Sequence, residues 1–416
     1  MPNPRYKWIV LFLSFLLMLV LGMIDFAVPF LLDPIIKDMN LTYAQGGLLF
    51  GTLYLGFIFY GPIGGAVTEK LGVRKSIAIA TFVQSLAAIL RGYSVGFYDL
   101  FFFSLIVSIC SVMQIAGIGR AMSEWFPSEE LGTVNGVWNA GFALGALIVS
   151  ATTATIVLPA MGGWRGSFIL YGVIDLAAAV VYITFSREKP TDYQIAKSAS
   201  ASNHVVGRTT MRRGFLQVAK SRNIWLLFAI FALVTGAENA AISWMPQLLG
   251  MKGAGAVLVE LAGTMVWVGG ITGNILFPYL SDRLGLRKPV LLGTAPLLAI
   301  SIYVLLASSS GSVSLFAGLM LGFTSMYFFP MMITIASELP EVSGGLVASA
   351  AGFVITASGL GTFILPVLGG YLRDVSGSFS MGFSLYWLVA LLALPAIVLL
   401  SETGSRRRKI TMGKAN

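Results

Sequence analysis

The chain has very little of the chemistry that catalytic and metal centres need. Its 416 residues include a single cysteine, Cys110, and a single histidine, His204. One cysteine excludes an intramolecular disulfide, and one residue of each type excludes a cysteine–histidine metal cluster. The Gly-x-x-x-x-Gly-Lys-Ser/Thr motif of ATP-driven pumps is also absent. We therefore expect a protein that is not an enzyme, with no catalytic residues, no cofactor and no bound metal.

Charge is equally scarce. Only 11% of the residues are charged, whereas 56% are hydrophobic, and soluble proteins carry about 25% charged residues. The expected solvent for most of the surface is therefore the lipid bilayer. A net charge of +9 would suit a nucleic-acid binder, but the basic residues follow a membrane topology, so we expect no nucleic-acid partner.

Twelve segments are apolar over the roughly 20 residues that a helix needs to cross a membrane. They are residues 8–31, 44–66, 76–95, 97–121, 133–159, 167–186, 223–249, 258–281, 288–307, 312–336, 344–370 and 381–401. With the N-terminus in the cytoplasm, most lysines and arginines fall on the cytoplasmic side. The sequence thus predicts a multi-pass protein of the plasma membrane with both termini cytoplasmic.

One long polar stretch divides these spans into six and six. Residues 187–222 are rich in serine, alanine and basic residues and predict a cytoplasmic linker; the segment "RRGFLQVAK" inside it suggests a short amphipathic helix. The expected domains are an N-terminal six-helix bundle at 1–186, the linker, a C-terminal six-helix bundle at 223–401, and a basic cytoplasmic tail at 402–416.

An internal repeat relates the two halves. "GAVTEKLGVRK" at 65–75 and "PYLSDRLGLRK" at 278–288 align at an offset of 213 in sequence number. Any cytoplasmic loop needs positive charge, but that does not explain a repeated acid and glycine. The motif residues are Gly65, Glu69, Lys70, Gly72, Arg74, Lys75, Asp282, Arg283, Gly285, Arg287 and Lys288.

These two loops resemble the conserved loop motif of the major facilitator superfamily, and "GGWRGSF" at 162–168 resembles another of its segments. The resemblance implies an all-α membrane protein whose 12 transmembrane helices form two pseudo-symmetric six-helix bundles, and it implies transport through a central cavity. We expect a monomer. Because acids can pair with arginines or cap helix N-termini, we predict a gating role for Glu69, Arg74, Asp282 and Arg287.

Charged groups inside the membrane are functional candidates because their insertion is costly. Asp25 lies in "LVLGMIDFAVPF" and Glu238 in "TGAENAA", and the two acids are related by the same offset as the loop motifs. The resemblance implies that the first and seventh helices line the cavity, where Asn239 adds a neutral polar group. The two acids could couple protons, recognise a cation, or only fix helix packing. Arg91, near a helix end, is expected to extend to the membrane surface.

Each of the other polar residues in the spans has two possible roles. Asp175 is either a structural partner or a second proton site. Gln114 and Tyr327, which the repeat offset also relates, are either cavity contacts or packing residues. Arg120 could bind an anionic solute or pair with Glu124 one helical turn away.

Two departures from the family pattern weaken a direct transfer of mechanism. The fourth span lacks the arginine that is associated with proton coupling in many members of the family. In "GFALGA" at 141–146, Phe142 stands where proton antiporters often have proline. Gly141 and Gly145 in this segment still predict close helix packing.

These observations predict a secondary active transporter that moves a small polar organic solute by alternating access, with protons as the coupling ion in symport and the lipid bilayer as its surroundings. The alternatives are a facilitative uniporter, a proton antiporter for drugs or organic ions, and a transporter-like solute receptor.

Overall fold

The computed structural model describes residues 6–58, 71–127, 130–188, 211–342 and 346–404, and all regular secondary structure in these ranges is helical. The first half contains α1 (Tyr6–Phe26), α2 (Val28–Met39), α3 (Tyr43–Ile58), α4 (Val73–Arg91), α5 (Phe97–Trp125), α6 (Leu131–Thr152) and α7 (Trp164–Phe185). A π-helical turn (Thr153–Val157) and a last helical turn (Leu158–Ala160) extend α6.

The second half contains α8 (Met211–Val218), α9 (Arg222–Met251), α10 (Ala256–Leu284), α11 (Lys288–Ala307), α12 (Gly311–Ser325), α13 (Phe328–Glu338), α14 (Val347–Ser376) and α15 (Ser380–Leu399). The helix predicted in "RRGFLQVAK" is therefore present as α8, which packs against α14.

Within the described ranges, 11 helical segments are long and apolar enough to span a membrane. They match the predicted spans, except that the second span, 44–66, is described only as far as Ile58. The first and tenth spans are each interrupted, after Phe26 and after Ser325. Pro29 and Pro330 follow these interruptions, and neither can donate the amide hydrogen that continues a helix.

Large apolar side chains cover the outside of the helices. Phe12, Val180 and Ile275 are 61%, 53% and 70% exposed. Helices that are hydrophobic on all sides are typical of membrane proteins, so these side chains face lipid. The chain is a multi-pass integral membrane protein.

The helices form two compact units, Met1–Pro34 with Leu55–Gly207, and Ile35–Tyr54 with Arg208–Asn416. In the first unit, α1 packs on α6, and α4 packs on α5 and α7. In the second unit, α9 packs on α14 and α15, α10 on α12, and α11 on α12 and α15. The predicted domain boundaries at 186 and 223 remain a prediction.

Glycines allow α1 and α6 to pack with their backbones in contact. A methyl group at Gly145 would clash with the carbonyl oxygen of Leu19, and one at Gly141 with that of Phe15. Gly22 on α1 similarly faces the carbonyl of Phe142. The close packing predicted from Gly141 and Gly145 is confirmed.

The pattern of buried residues along the helices repeats between the halves, but the difference in residue number between equivalent positions changes along the chain. In α1 and α9 it is 213, so that the buried residues Leu21 and Val234 correspond. In α5, α12 and α13 it becomes 214, so that Ile118 corresponds to Met332. This pattern matches Gln114 to Phe328 rather than to Tyr327.

Candidate functional site

Asp25 lies next to the interruption of the first span. It is the penultimate residue of α1 and is 8% exposed. Its Oδ1 atom has no hydrogen-bond partner among the described residues. Pro29, four residues on, cannot donate the helical hydrogen bond to the Asp25 carbonyl oxygen. A carboxylate therefore sits in the interior of the first unit beside locally weakened backbone.

Glu238 occupies the equivalent position on α9 in the second unit and is 6% exposed. Ser325, the last residue of α12, lies beside its carboxylate. The neighbouring Asn239 accepts a hydrogen bond from the Tyr54 hydroxyl at 3.0 Å and donates one to the Thr235 carbonyl at 2.9 Å. Asn239 is thus held by two contacts, whereas the Glu238 carboxylate has the neutral Ser325 hydroxyl as its polar neighbour.

Neither acid forms a salt bridge with any residue in the described ranges. Burying an unpaired ionised carboxylate is expensive, and proton uptake removes that cost. In both halves the first membrane-spanning helix therefore carries an acid that is suited to binding and releasing a proton.

Gln114 and Tyr327 are both fully buried. No described residue hydrogen-bonds the Gln114 amide. The Tyr327 hydroxyl, in contrast, bonds to the Thr294 hydroxyl on α11, and its ring packs 4.8 Å from that of Phe277. Tyr327 is therefore anchored within the second unit, while Gln114 keeps free hydrogen-bonding capacity.

Arg120 pairs with Glu124, as one of its two interpretations predicts. The Nε atom of Arg120 lies 3.2 Å from a carboxylate oxygen of Glu124. Because the Arg120 side chain is 45% exposed, this pair contributes little to stability.

Arg91 is placed differently from its prediction. It is the last residue of α4 but is only 1% exposed, and its guanidinium lies 4.6 Å from the centre of the Phe168 ring on α7. Helical side chains lean towards the helix N-terminus, which directs Arg91 inwards. The expectation that it reaches the membrane surface is wrong. Asp175, also on α7, is fully buried.

Part of the first loop motif lies outside the described residues, namely Gly65, Glu69 and Lys70. Gly72 has a φ of +79°, which favours glycine. Arg74 donates to the Ser186 hydroxyl at 3.1 Å and to the Ile183 carbonyl at 3.0 Å. It therefore stabilises the C-terminal end of α7, where a positive charge is favourable.

Lys75 and Arg283 are exposed members of the two motifs.

The second motif has tighter contacts. Arg287 makes two parallel bonds to Glu338, at 2.8 and 3.1 Å, and a third contact of 2.5 Å to Asp282. The hydrogen bond to Glu338 raises the pKa of Arg287 above its usual range. Gly285, with a φ of +66°, ends α10, and Lys288 donates to the Val398 carbonyl at 2.7 Å. The motif thus joins α10, α11, α13 and the end of α15.

Sequence reasoning missed two acids of this network. Glu338 binds Arg287 as described, and Glu402 accepts hydrogen bonds from the backbone amides of Arg287 and Lys288 at 2.7 and 3.1 Å, capping α11. A signal for Glu338 exists, since an acid precedes a proline at this place in both halves, in "SEWFP" and "SELP". It was hidden because the repeat offset of the loop motifs does not relate these two acids.

Sequence reasoning also missed Asp374 near the end of α14, for which the sequence gives no signal. Its two carboxylate oxygens accept from the amides of Tyr43 and Ala44 at 2.9 and 2.8 Å. Arg373 stacks on the Tyr43 ring at 4.8 Å. Asp374 therefore caps the N-terminus of α3 within the second unit.

The family model of the Major Facilitator Superfamily matches residues 10–349 and 253–414 of the chain. The chain belongs to this superfamily. The superfamily and the relatives of this chain are transporters and not enzymes, and the fold of the chain is the all-α arrangement of that family.

Individual relatives of this superfamily member are distant but cover nearly the whole chain. The hexuronate transporter of Bacillus subtilis (strain 168) is 25% identical over 390 residues, which cover 90% of this chain and 89% of the relative. A probable sulfoacetate transporter of Cupriavidus necator is 25% identical over 366 residues, covering 84% of each protein. A bacterial homologue of the human lysosomal transporter Spinster, in an inward-facing and unoccupied conformation, has a TM-score of 0.74 at 16% identity and covers 96% of this chain and 97% of its own.

Proposed function

We propose that this superfamily member is a secondary active transporter that carries a small organic anion together with protons by alternating access. The observation that supports the proposal is the equivalent placement of Asp25 and Glu238, each buried on the first membrane-spanning helix of its half and each without a salt bridge in the described ranges. The first spans remain in phase at the offset of 213, which supports treating the two acids as a pair.

Proton coupling follows from the cost of burying these acids. A carboxylate that faces water in one state of the cycle can be ionised there, and it must be neutralised when the surrounding helices exclude water. A proton is the smallest neutralising partner. With one proton carried per acid, two protons cross with each solute, so a dianion crosses without net charge and a monoanion with a net charge of +1.

The names of relatives support an anionic solute. The hexuronate transporter and the probable sulfoacetate transporter described above are named for solutes that are small and polar and bear an acid group. We extend to this chain only that chemical class. We also propose a monomer in the plasma membrane with cytoplasmic termini, supported by the distribution of lysine and arginine, and a gating role for the loop motifs, supported by the Arg287–Glu338 contact.

The test is uptake into proteoliposomes that contain the purified full-length protein. Radiolabelled glucuronate and sulfoacetate serve as anionic probes and xylose as a neutral one, each with and without an imposed pH gradient. Accumulation of an anionic probe above its external concentration only with the gradient is the expected result. Equilibration without accumulation would indicate a uniporter and refute coupling.

Variants assign the coupling to the two acids. Asp25→Asn and Glu238→Gln should each keep exchange of labelled for unlabelled probe but lose gradient-driven accumulation at least tenfold. Asp99→Asn, which changes an exposed acid at the start of α5, is the matched control and should accumulate like the unaltered protein. Full accumulation by the Asp25→Asn, Glu238→Gln double variant would remove both acids from the mechanism.

A further inference from the structure

In the first unit, Asp25 belongs to a cluster of buried charged residues. Arg91 and Asp175 are 1% and 0% exposed, and Gln84 is also completely buried. Asp25, Arg91 and Asp175 interact electrostatically with one another. One positive charge is therefore enclosed with two carboxyl groups.

The packing of α4 against α7 aims these groups at each other. The helices are antiparallel, with Arg91 beside Phe168 and Gln84 beside Asp175. Arg91 and Gln84 are seven residues apart, or about 10 Å along the helix. Because helical side chains lean towards the helix N-terminus, Arg91 leans towards Asp175 and Asp175 leans towards Arg91. Asp25 approaches from α1, which also packs on α7.

The cluster is enclosed but not locked by hydrogen bonds. By distance and angle, all three guanidinium nitrogens of Arg91 and both carboxylate oxygens of Asp175 lack a hydrogen-bond partner among the described residues, although the Gln84 side chain lies close to the Asp175 carboxylate. The guanidinium instead lies over the Phe168 ring. A structural ion pair would be expected to bring these atoms into bidentate contact, so the observed arrangement leaves Arg91 able to pair with either acid.

Among the described residues, no other charged group acts on Asp25, Arg91 or Asp175; Arg165, also on α7, instead stacks on Trp164 and donates to the Ser94 carbonyl. The other titratable neighbour of Asp175 is the Cys110 thiol on α5. Helix α6, which packs on α1, contains no charged residue between Leu131 and Thr152. The charge balance of the cluster is therefore set by Asp25, Arg91 and Asp175.

The second half of the chain shows that this fold does not need the cluster. Helices α11 and α15 pack together as α4 and α7 do, and their buried positions repeat at offsets of 214 and 215. Gln84, Arg91 and Asp175 then correspond to three residues that are buried and apolar, and these are Leu298, Leu305 and Ala390. The same helix pair thus packs with hydrocarbon where the first half places two charges and an amide.

We propose that Asp25, Arg91 and Asp175 form a one-proton store in which the Arg91 guanidinium pairs with one carboxylate while the other carboxyl holds the proton. With both acids ionised the cluster carries a net charge of −1, and one bound proton makes it neutral. Transfer of Arg91 from one acid to the other accompanies movement of the proton. This inference rests on the proposed proton coupling and adds Arg91 and Asp175 to it as positioning and proton-holding residues.

The test counts protonated carboxyl groups directly, without a solute or a gradient. Infrared difference spectra of the purified full-length protein in lipid, recorded between acidic and alkaline pH, report the C=O band of protonated carboxyl groups. Asp175→Asn and Asp25→Asn should each remove one titrating carboxyl. Arg91→Gln should add one, because without the guanidinium both acids bind a proton at acidic pH and release it at alkaline pH, and Arg91→Lys should give the original spectrum. Spectra of Arg91→Gln that match those of the unaltered protein would overturn the proposal.

Two controls separate this role from a structural one. Arg165→Gln changes an arginine of the same unit that stacks on Trp164 and donates to the Ser94 carbonyl, and it should leave the spectrum unchanged. The triple variant Gln84→Leu, Arg91→Leu, Asp175→Ala copies the second half, and it should fold but lose the cluster's signal. Failure of the triple variant to fold would show that the charges serve packing and would refute the store.

The outcome is independent of transport. If the unaltered protein shows the titrating cluster yet does not accumulate solute with a pH gradient, the proposed function fails and the proton store stands. If gradient-driven accumulation is present but the Arg91→Gln spectrum is unchanged, the store fails and the proposed function stands.

Discussion

Loss of the Glu338 charge should destabilise the second unit far more than loss of the Asp282 charge. Both acids contact Arg287, at 2.8 and 2.5 Å, so distance alone would favour Asp282. Exposure decides otherwise, because the Glu338 side chain is 15% exposed and that of Asp282 is 67% exposed. Solvent screening leaves an exposed pair with about 0–1 kcal/mol.

The Arg287–Glu338 pair should contribute more to the free energy of unfolding, for two reasons. It is bidentate, and removing one partner leaves the other charge buried, which costs about 3–5 kcal/mol in a fully buried pair. Because both side chains keep some exposure, we expect about 1–3 kcal/mol for Glu338→Gln. Glu338 also accepts a bond from the Thr403 hydroxyl at 3.0 Å, which adds to this loss.

Thermal unfolding of the purified protein in one detergent provides the assay, with Asp282→Asn as the matched control. Glu338→Gln should lower the midpoint clearly and Asp282→Asn only slightly. A double-mutant cycle with Arg287→Gln isolates the pair from effects on other contacts. The reasoning is refuted if Asp282→Asn lowers the midpoint as much as Glu338→Gln does.

Three further predictions concern packing, capping and pH. Gly145→Val should prevent α6 from packing on α1 and yield aggregated protein in size-exclusion chromatography. Gly136→Val on the same helix, where an added Cβ atom would meet no atom beyond the adjacent helix backbone within 4 Å, should remain monodisperse. Lys252 donates to three carbonyl oxygens at the end of α11, at 2.6 to 2.7 Å, so Lys252→Met should cost about 1 kcal/mol in a thermal or denaturant measurement, and no loss would contradict the capping role. Burial alone would raise the pKa of Glu341, but hydrogen bonds from Ser221 and Asn223 lower it below its usual value. These hydrogen bonds should therefore stabilise the start of α9 above about pH 4.3 and be lost as the pH falls through the lowered pKa, which faster amide exchange at the start of α9 would report. An identical pH dependence of exchange in Glu341→Gln would disprove this role.

The spans and the repeat were predictable because their signals are local. Twenty apolar residues identify a membrane helix wherever they occur, and the acid, glycine and arginine of the loop motif recur in both halves. The same reasoning identified Asp25 and Glu238, since both lie in spans that stay in phase at the offset of the loop motifs. The pairing of Gln114 with Tyr327 used an offset of 213, although the offset between these helices is 214. The sequence without the structure does not reveal where the offset changes.

The contacts of Arg91 could not be predicted from its own helix. A basic residue at a helix end ordinarily extends to the membrane surface, and nothing in "AAILRGY" contradicts that. Its burial depends on Phe168, which lies on another helix far along the chain and offers an aromatic face to the guanidinium. Asp374 was missed for the same reason, because the amides that it binds lie on another helix.

The two acids should not respond equally to substitution, although they are equivalent by sequence. Glu238 has neutral neighbours such as Ser325, so Glu238→Gln removes an uncompensated acid and leaves no buried charge behind. Asp25 shares its surroundings with Arg91 and Asp175, so Asp25→Asn leaves one positive and one negative group that can pair permanently. That pairing would hold Arg91 in one position and remove the titrating carboxyl of the cluster, whereas Glu238→Gln would leave that titration intact. Equivalence of sequence therefore identifies the pair, and the charges around each acid determine its part in the cycle.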